Sequence, residues 1–322
     1  MDNAAKRLLV PLAIANLVVN IGIVVTGGAV RLTGSGLGCP TWPRCTDESY
    51  VPHGELGMHG AIEFGNRLLT FAVAAVALLT FLAAWRSGDR RARLLALLVG
   101  LYIPAQAVIG GITVLTDLNP WVVSLHFLSS MVIIGLCVVL LDHLRGPVRT
   151  AAAPRARQLA WGAFALGWVV LYLGTVVTGS GPHSGDLDSR RTGLDPQVMS
   201  HVHAWVVYAL VAVTLALVVV AVRGGHRHLL HATLALLAVE VAQGVIGFVQ
   251  YFNDLPEWLV LLHMLGAALT AAVIAWVVLA ARARRPSRAG RPGGAGRPGR
   301  LSGAAQPQIS ASTATATNSS ER

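Results

Sequence analysis

Eight runs of about twenty apolar residues, at 8–28, 62–85, 94–115, 121–141, 159–179, 200–222, 229–250 and 257–281, constrain this chain more than any other feature. Each run is long enough to cross a hydrocarbon layer of about 30 Å at the helical rise of about 1.5 Å per residue. Lipid offers backbone groups no hydrogen-bond partner, so continuous runs of this length must be helices. The expected fold class is therefore an all-α integral membrane protein with eight transmembrane helices. With 54% hydrophobic and 12% charged residues among 322, a water-soluble enzyme and a disordered chain are both excluded.

The formal net charge of +10 invites a nucleic-acid reading, but its distribution argues against one. From Arg282 onward the chain carries eight arginines against the single Glu321. The basicity is mostly a property of this tail and suits an anionic lipid surface, with no nucleic-acid partner. Residues 282–322 are Arg, Pro, Gly, Ala and Ser without periodicity, and they are expected to form a disordered cytoplasmic tail.

Arginines also set the expected orientation. Arg86, Arg90, Arg91 and Arg93 follow the second run, Arg145, Arg149, Arg155 and Arg157 the fourth, and Arg223 and Arg227 the sixth. These connections and both termini are assigned to the cytoplasm, and the protein is expected to be a multi-pass component of a bacterial plasma membrane. Acidic residues, among them Asp47, Glu48, Glu55, Asp117, Asp186, Asp188, Asp195, Asp254 and Glu257, collect on the opposite side. Lys6 and Arg7 precede the first run with no small-residue cleavage site behind it, so that run is read as a retained anchor.

The chain also repeats itself. A shift of 137 residues superposes Gln106, Val108, Ile109 and Gly110 on Gln243, Val245, Ile246 and Gly247. The same shift carries Asp117, Leu118 and Trp121 onto Asp254, Leu255 and Trp258, and His126 onto His263. Before the second run the shift is 152, matching Val25, Thr26 and Gly27 to Val177, Thr178 and Gly179. Two pseudo-symmetric four-helix bundles in tandem are expected, an N-terminal unit at 1–150 with an outer loop at 29–61 and a C-terminal unit at 151–281. Four crossings separate equivalent helices, so the units share one orientation, unlike inverted transporter repeats.

Ionisable side chains inside lipid-spanning helices are costly and are candidates for function. His126 and His263 lie roughly 7 to 11 Å inside the outer ends of their helices, and His203 lies at similar depth on the sixth. His203 and His263 stand on helices that can face each other diagonally across a bundle, the arrangement that holds a haem iron between two axial nitrogens. At the position equivalent to His203 the first unit has Asn66, with Glu63 one helical turn away and Ser200 in Glu63's place in the second unit. The second unit reads as a closed six-coordinate haem site. The first reads as open on one side beside a carboxylate, which suits proton transfer in an oxidation at a porphyrin substituent.

Alternatives stay open at several positions. Each histidine could instead bond a neighbouring helix, and Glu63 could pair with Arg67 at the helix mouth. His201 competes with His203 as ligand, although residues two apart diverge on a helix. His53 or His59 could complete coordination in the first unit, while His143, His226, His228 and His231 belong to the cytoplasmic rim. Cys39 and Cys45 face an oxidising side and can form a disulfide, as a structural staple or a redox relay, and Cys137 reads as an inert core thiol. The glycine-rich stretch from Gly27 to Cys45 can act as a lid, with Arg31 or Arg67 available to propionates. Glu240, in the middle of the seventh run, could serve a helix-to-helix bond or a proton path.

The runs GGAVRLTGSGLGCP, IEFGNRLLT at 62–70, VSLHFLSS at 123–130 and LLHMLGA at 261–267, set on eight helices in two tandem units, resemble haem A synthase over about residues 8–281. That resemblance implies oxidation of the C8 methyl of haem O to a formyl group by successive hydroxylations, giving haem A for cytochrome oxidase. It implies haem b held by residues matching His203 and His263, and substrate haem O in the first unit beside His126. The family glutamate matches Glu63, and a second substrate-side histidine matches Asn66, a departure from the family pattern. The outer cysteine pair of one subgroup, a disulfide there, matches Cys39 and Cys45. Implied partners are haem O, lipid, the haem O-producing prenyltransferase, oxidase assembly factors and a second copy of the chain. A membrane haem-b electron-transfer protein oxidising quinol is the alternative, but it gives Glu63 no task. A transporter or haem chaperone is a third reading, and prenyl transfer is disfavoured because aspartate-rich magnesium motifs are missing.

Overall fold

The computed structural model describes residues 3–186 and 189–284. Asp188 and the tail expected to be disordered lie outside those residues, except for the first few tail positions. The chain forms eight helices among them: α1 (Asn3–Leu32), α2 (Gly57–Ser87), α3 (Arg90–Leu115), α4 (Pro120–Arg145), α5 (Pro154–Ser180), α6 (Pro196–Arg223), α7 (Arg227–Phe252) and α8 (Glu257–Ala281). All eight are long and apolar enough to cross a membrane. Between them no strand forms among the described residues, only an isolated antiparallel bridge between Arg149 and Arg284. The protein is a multi-pass, all-α membrane protein.

Most helices outrun the apolar segments that announce them, because capping residues rather than lipid contact decide where a helix begins. Asp89 accepts the amide protons of Arg91 and Ala92 at 2.9 and 3.0 Å, and so starts α3 directly behind the end of α2. Asn119 and Asp195 cap α4 and α6 in the same way, each followed by a proline at the first helical position. At the other extreme α1 continues through Gly27 and Gly28 to Leu32, where the glycines had suggested the start of the loop. The reason is packing: a Cβ on Gly28 would lie 2.7 Å from Met264 Sδ, so α1 passes close against α8 there.

Helices α1 to α4 form a ring in which each packs on the next and α4 returns to α1. Helices α5 to α8 repeat that ring, and the two meet through α1 with α8, α4 with α5, and α4 with α8. This pattern maps onto itself when the first four helices are exchanged with the last four. The repeat also reaches the backbone. Asp117 and Leu118 (φ 51° and 54°) adopt the left-handed conformation in the turn before α4, and Asp254 and Leu255 (φ 54° and 56°) do so before α8. Non-glycine residues seldom adopt it, so its recurrence at the same register marks one turn used twice.

Association in lipid depends on close van der Waals packing, since hydrocarbon is as apolar as a leucine side chain. Helix α8 is the most enclosed of the eight and presents small buried residues, Gly266, Ala268, Ala271, Ala272 and Ala275, which let its neighbours approach. Around it a buried cluster gathers Met131 and Ile134 of α4, Ala160 and Ala163 of α5, and Leu210 and Leu217 of α6. At the helix ends remote from the cysteine loop, Arg149 pairs with Asp142 at 2.9 Å and donates to the carbonyls of Leu279 and Arg282. One of the arginines that set the expected orientation thus ties the α4–α5 connection to the end of α8.

Candidate functional site

In the second ring, His203 of α6 and His263 of α8 turn inward and bury their Nδ1 atoms. Each ring rests on a glycine of the neighbouring helix. A Cβ on Gly174 of α5 would lie 3.5 Å from His203 Cε1, and one on Gly247 of α7 would lie 3.6 Å from His263 Cε1. Gln243 Nε2 donates to the His263 carbonyl at 2.9 Å and fixes that turn of α8 against α7. Gly266 permits this, because a Cβ there would collide with the Gln243 amide. His201 is exposed, with its ring beside Tyr251 at a centroid separation of 5.9 Å.

These residues fit a haem held through two axial imidazoles. Nδ1 of both His203 and His263 is buried without a hydrogen-bond partner, an arrangement that costs free energy unless the ring is engaged otherwise. No group of three or more His, Cys, Asp or Glu converges among the described residues. Two imidazoles are the donors a porphyrin iron takes from protein, whereas a protein-only metal centre takes three or four ligands.

The first ring reproduces half of this arrangement. His126 of α4 lies against Gly110 of α3, where a Cβ would sit 3.1 Å from its Cε1, and its Nδ1 is likewise buried and unpaired. Gln106 Nε2 donates to the His126 carbonyl at 3.1 Å, as its repeat counterpart Gln243 does for His263. Asn66 on α2 occupies the position of His203, and its Oδ1 accepts a hydrogen bond from Thr26 Oγ1 of α1 at 2.8 Å. This Thr26 contact was not legible in the sequence, where Thr26 counted only as part of the repeat.

Glu63 is buried and fully engaged. Its Oε2 accepts the Cys39 amide proton at 2.6 Å, and its Oε1 accepts from Arg67 Nη2 at 2.5 Å and Nε at 3.1 Å. The Arg67 guanidinium also donates to the carbonyls of Cys39, Thr41 and Arg44. The ion pair that stood as one alternative for Glu63 is therefore present, and it joins the outer loop to the first turns of α2. Cys39 and Cys45 form a disulfide and are both fully buried. Trp42, between them, covers Gly111 of α3, where any Cβ would strike the indole. Adjacent glycines on α3 thus seat the imidazole and the loop.

Other sequence candidates fall elsewhere. Arg31 donates to the carbonyls of His183 at 2.5 Å and Thr178 at 3.2 Å, joining the end of α1 to that of α5. His59 is exposed, with Nδ1 2.9 Å from Ser35 Oγ, and His53 is exposed before a short 3-10 turn. His143 pairs with Asp89 at 2.8 Å. Cys137 is a buried free thiol. Glu240 of α7 accepts from Thr214 Oγ1 of α6 at 2.8 Å, and its Oε2 is buried without a partner. The repeat places Ile103 and Ala77, both buried and apolar, at the positions of Glu240 and Thr214.

Comparison with known proteins places the chain in a family. A heme A synthase of Bacillus mycoides (strain KBAB4) is 24% identical over 276 residues, covering 80% of this chain and 88% of the relative. Heme A synthases of Bacillus cereus (strain G9842) and Bacillus anthracis (strain CDC 684 / NRRL 3495) are each 25% identical with the same coverage. The sequence profile of the COX15-CtaA family, cytochrome oxidase assembly protein, matches residues 11–182, which span α1 to α5 and hold the Glu63 clamp, Asn66 and His126. The chain belongs to that family.

Proposed function

We propose that the protein is a haem A synthase, an oxidoreductase that converts the C8 methyl of haem O to a formyl group by successive hydroxylations. One observation carries this reading. Repeat-related positions hold two inward-facing imidazoles in the second ring, but one imidazole, an asparagine and a buried carboxylate in the first. A pure electron carrier has no use for that asymmetry.

In this reading His203 and His263 would hold a haem b through their imidazoles, and that group, when bound, would supply one-electron transfer. Substrate haem O lies in the first ring beside His126. Glycines 110, 174 and 247 set the depth of each imidazole, and the two glutamines fix the helix turns that carry His126 and His263. Trp42 and the disulfide-closed loop exclude water from the first ring at its loop end. Glu63, held by Arg67 and the Cys39 amide one turn from Asn66, is the carboxylate that takes up a proton by exchanging one of those bonds as the substrate's methyl carbon is oxidised. Arg31 and Arg67 are spoken for by backbone carbonyls, and reach propionates only by exchanging those bonds. The loop end faces outward across a bacterial plasma membrane with both termini cytoplasmic. The haem O-producing prenyltransferase and oxidase assembly factors are the expected partners.

The test is expression in a host that makes haem O but lacks its own synthase, followed by pigment extraction. The intact chain should yield formyl-haem. Glu63→Gln should retain the low-spin haem b spectrum and lose conversion; full conversion by that variant would refute the role given to Glu63.

A further inference from the structure

Polar side chains gather in the second ring where the first is apolar. In the 137-residue register Thr214 of α6, Glu240 of α7 and Thr270 of α8 correspond to Ala77 of α2, Ile103 of α3 and Ile133 of α4. The apolar counterparts belong to one buried hydrophobic cluster, and the polar residues that replace them are buried as well. Thr270 Oγ1 donates to the Gly266 carbonyl and Thr214 Oγ1 to Glu240 Oε1, each at 2.8 Å. Glu240 Oε2 is left without a donor, although the residue is only 5% exposed. A carboxylate so placed is costly inside a membrane, whereas a proton on Oε2 makes the group neutral.

Helical spacing relates this carboxyl to the imidazoles. Seven residues are close to two full turns and eleven close to three, so residues at those spacings share a helix face. Glu240 therefore shares the face of α7 with Gly247, the glycine against which His263 rests, about 10 Å along the axis. Thr214 shares the face of α6 with His203 in the same way, about 16 Å along it. The pair thus lies on the inner face of the second ring, displaced from the imidazoles toward the helix ends remote from the cysteine loop. Only α6 and α8 pack against α7. Of the titratable and charged groups on these three helices, His203 and His263 face Glu240, and the others are exposed.

We propose that Glu240 is a proton-binding site coupled to the oxidation state of the haem in the second ring, its carboxylate taking up one proton on Oε2 when that haem gains one electron. This rests on the assignment of His203 and His263 as the residues that hold a haem. Reduction of a ferric haem to ferrous removes one positive charge, and conversion of the carboxylate to the acid removes one negative charge, so the charge enclosed by the ring stays the same. The electron comes from a one-electron donor and the proton from water. Two unit charges about 10 to 16 Å apart at an effective dielectric of about 20 change each other's equilibria about 6- to 16-fold. The first ring, with Ile103 and Ala77 at these positions, has no such group.

The experiment is a redox titration of the purified full chain in detergent with its haem bound, followed at the low-spin optical signal between about pH 5 and 9. In the wild type the midpoint should fall as pH rises, by about 45 to 70 mV in all, which is the 6- to 16-fold effect at about 59 mV per tenfold. Glu240→Gln keeps an acceptor for Thr214 and fixes the site as neutral. Its midpoint should stay at the wild type's acid value across the range, with the low-spin spectrum unchanged. Thr214→Val removes the donor that supports the carboxylate, so the fall should persist but begin at higher pH. A flat wild-type midpoint, or a fall of wild-type size in Glu240→Gln, would overturn the proposal. Should Glu240→Gln not fold, an undisplaced fall in Thr214→Val overturns it equally. Failure of the underlying assignment looks different: no low-spin haem is bound, or His203→Ala and His263→Ala retain the low-spin spectrum.

Discussion

Replacing Arg67 with methionine should release the outer loop from α2. The guanidinium contacts Glu63 Oε1 at 2.5 and 3.1 Å and the carbonyls of Cys39, Thr41 and Arg44 at 3.2, 3.0 and 3.1 Å. Side-chain exposure is 20% for Arg67 and 8% for Glu63, which places the pair nearer the buried than the surface regime. Removing one partner of a buried pair costs about 3–5 kcal/mol, and the partial exposure of Arg67 reduces this to about 2–3 kcal/mol. At about 1.4 kcal/mol per tenfold, the loop should open roughly 30- to 140-fold more often. The Cys39 amide, which donates to Glu63, reports that opening through hydrogen exchange. Glu63→Gln keeps an acceptor for this amide but loses the charge, so its effect should be smaller. The double variant should fall short of the sum of the two, because both remove one pair. Exchange at Cys39 within threefold of wild type in Arg67→Met, or strict additivity in the double variant, would show that the disulfide and Trp42 hold the loop without the ion pair.

Four further outcomes are expected. Burial works against the charge on Asp89, but hydrogen bonds from the Ala92 amide and His143 outweigh it and hold the carboxyl below its ordinary range. The resulting stabilisation is present above the unfolded value of about 3.9 and is lost as pH falls through the lower folded value. Melting of Asp89→Asn should therefore lie below wild type at pH 6, with the gap closing as the pH falls below the ordinary carboxylate range. Gly266→Ala should displace the Gln243 amide from the His263 carbonyl, and haem titration should show weaker retention in the second ring and none of this effect in the first. Thr214→Ala leaves Glu240 without its donor and should cost about 1–3 kcal/mol in detergent melting. Importing the first ring's pair as Thr214→Ala with Glu240→Ile should be neutral or stabilising by about 1–4 kcal/mol, as for other buried polar groups replaced by well-packed apolar ones. A double variant less stable than Thr214→Ala alone would mean that Glu240 has packing partners the repeat does not reproduce.

Much of the architecture follows from sequence because lipid leaves few options. Runs of about twenty apolar residues with no backbone partners in hydrocarbon must be helices, and a 137-residue register between His126 and His263 must pair two similar bundles. The same register singled out Asn66 as the odd member and Glu63 as a carboxylate without a counterpart. Three-dimensional packing alone decided the rest. Hydropathy ends where lipid contact ends, so it missed helix ends set by Asp89, Asp195 and the close approach of Gly28 to Met264. Nor could spacing show that Arg67 binds loop carbonyls 23 to 28 residues away, that Arg31 reaches the end of α5, or that Thr26 donates to Asn66 across two helices. A linear pattern records which face of a helix is apolar, whereas a hydrogen bond between distant segments depends on angles and depths fixed only once every helix has found its neighbours.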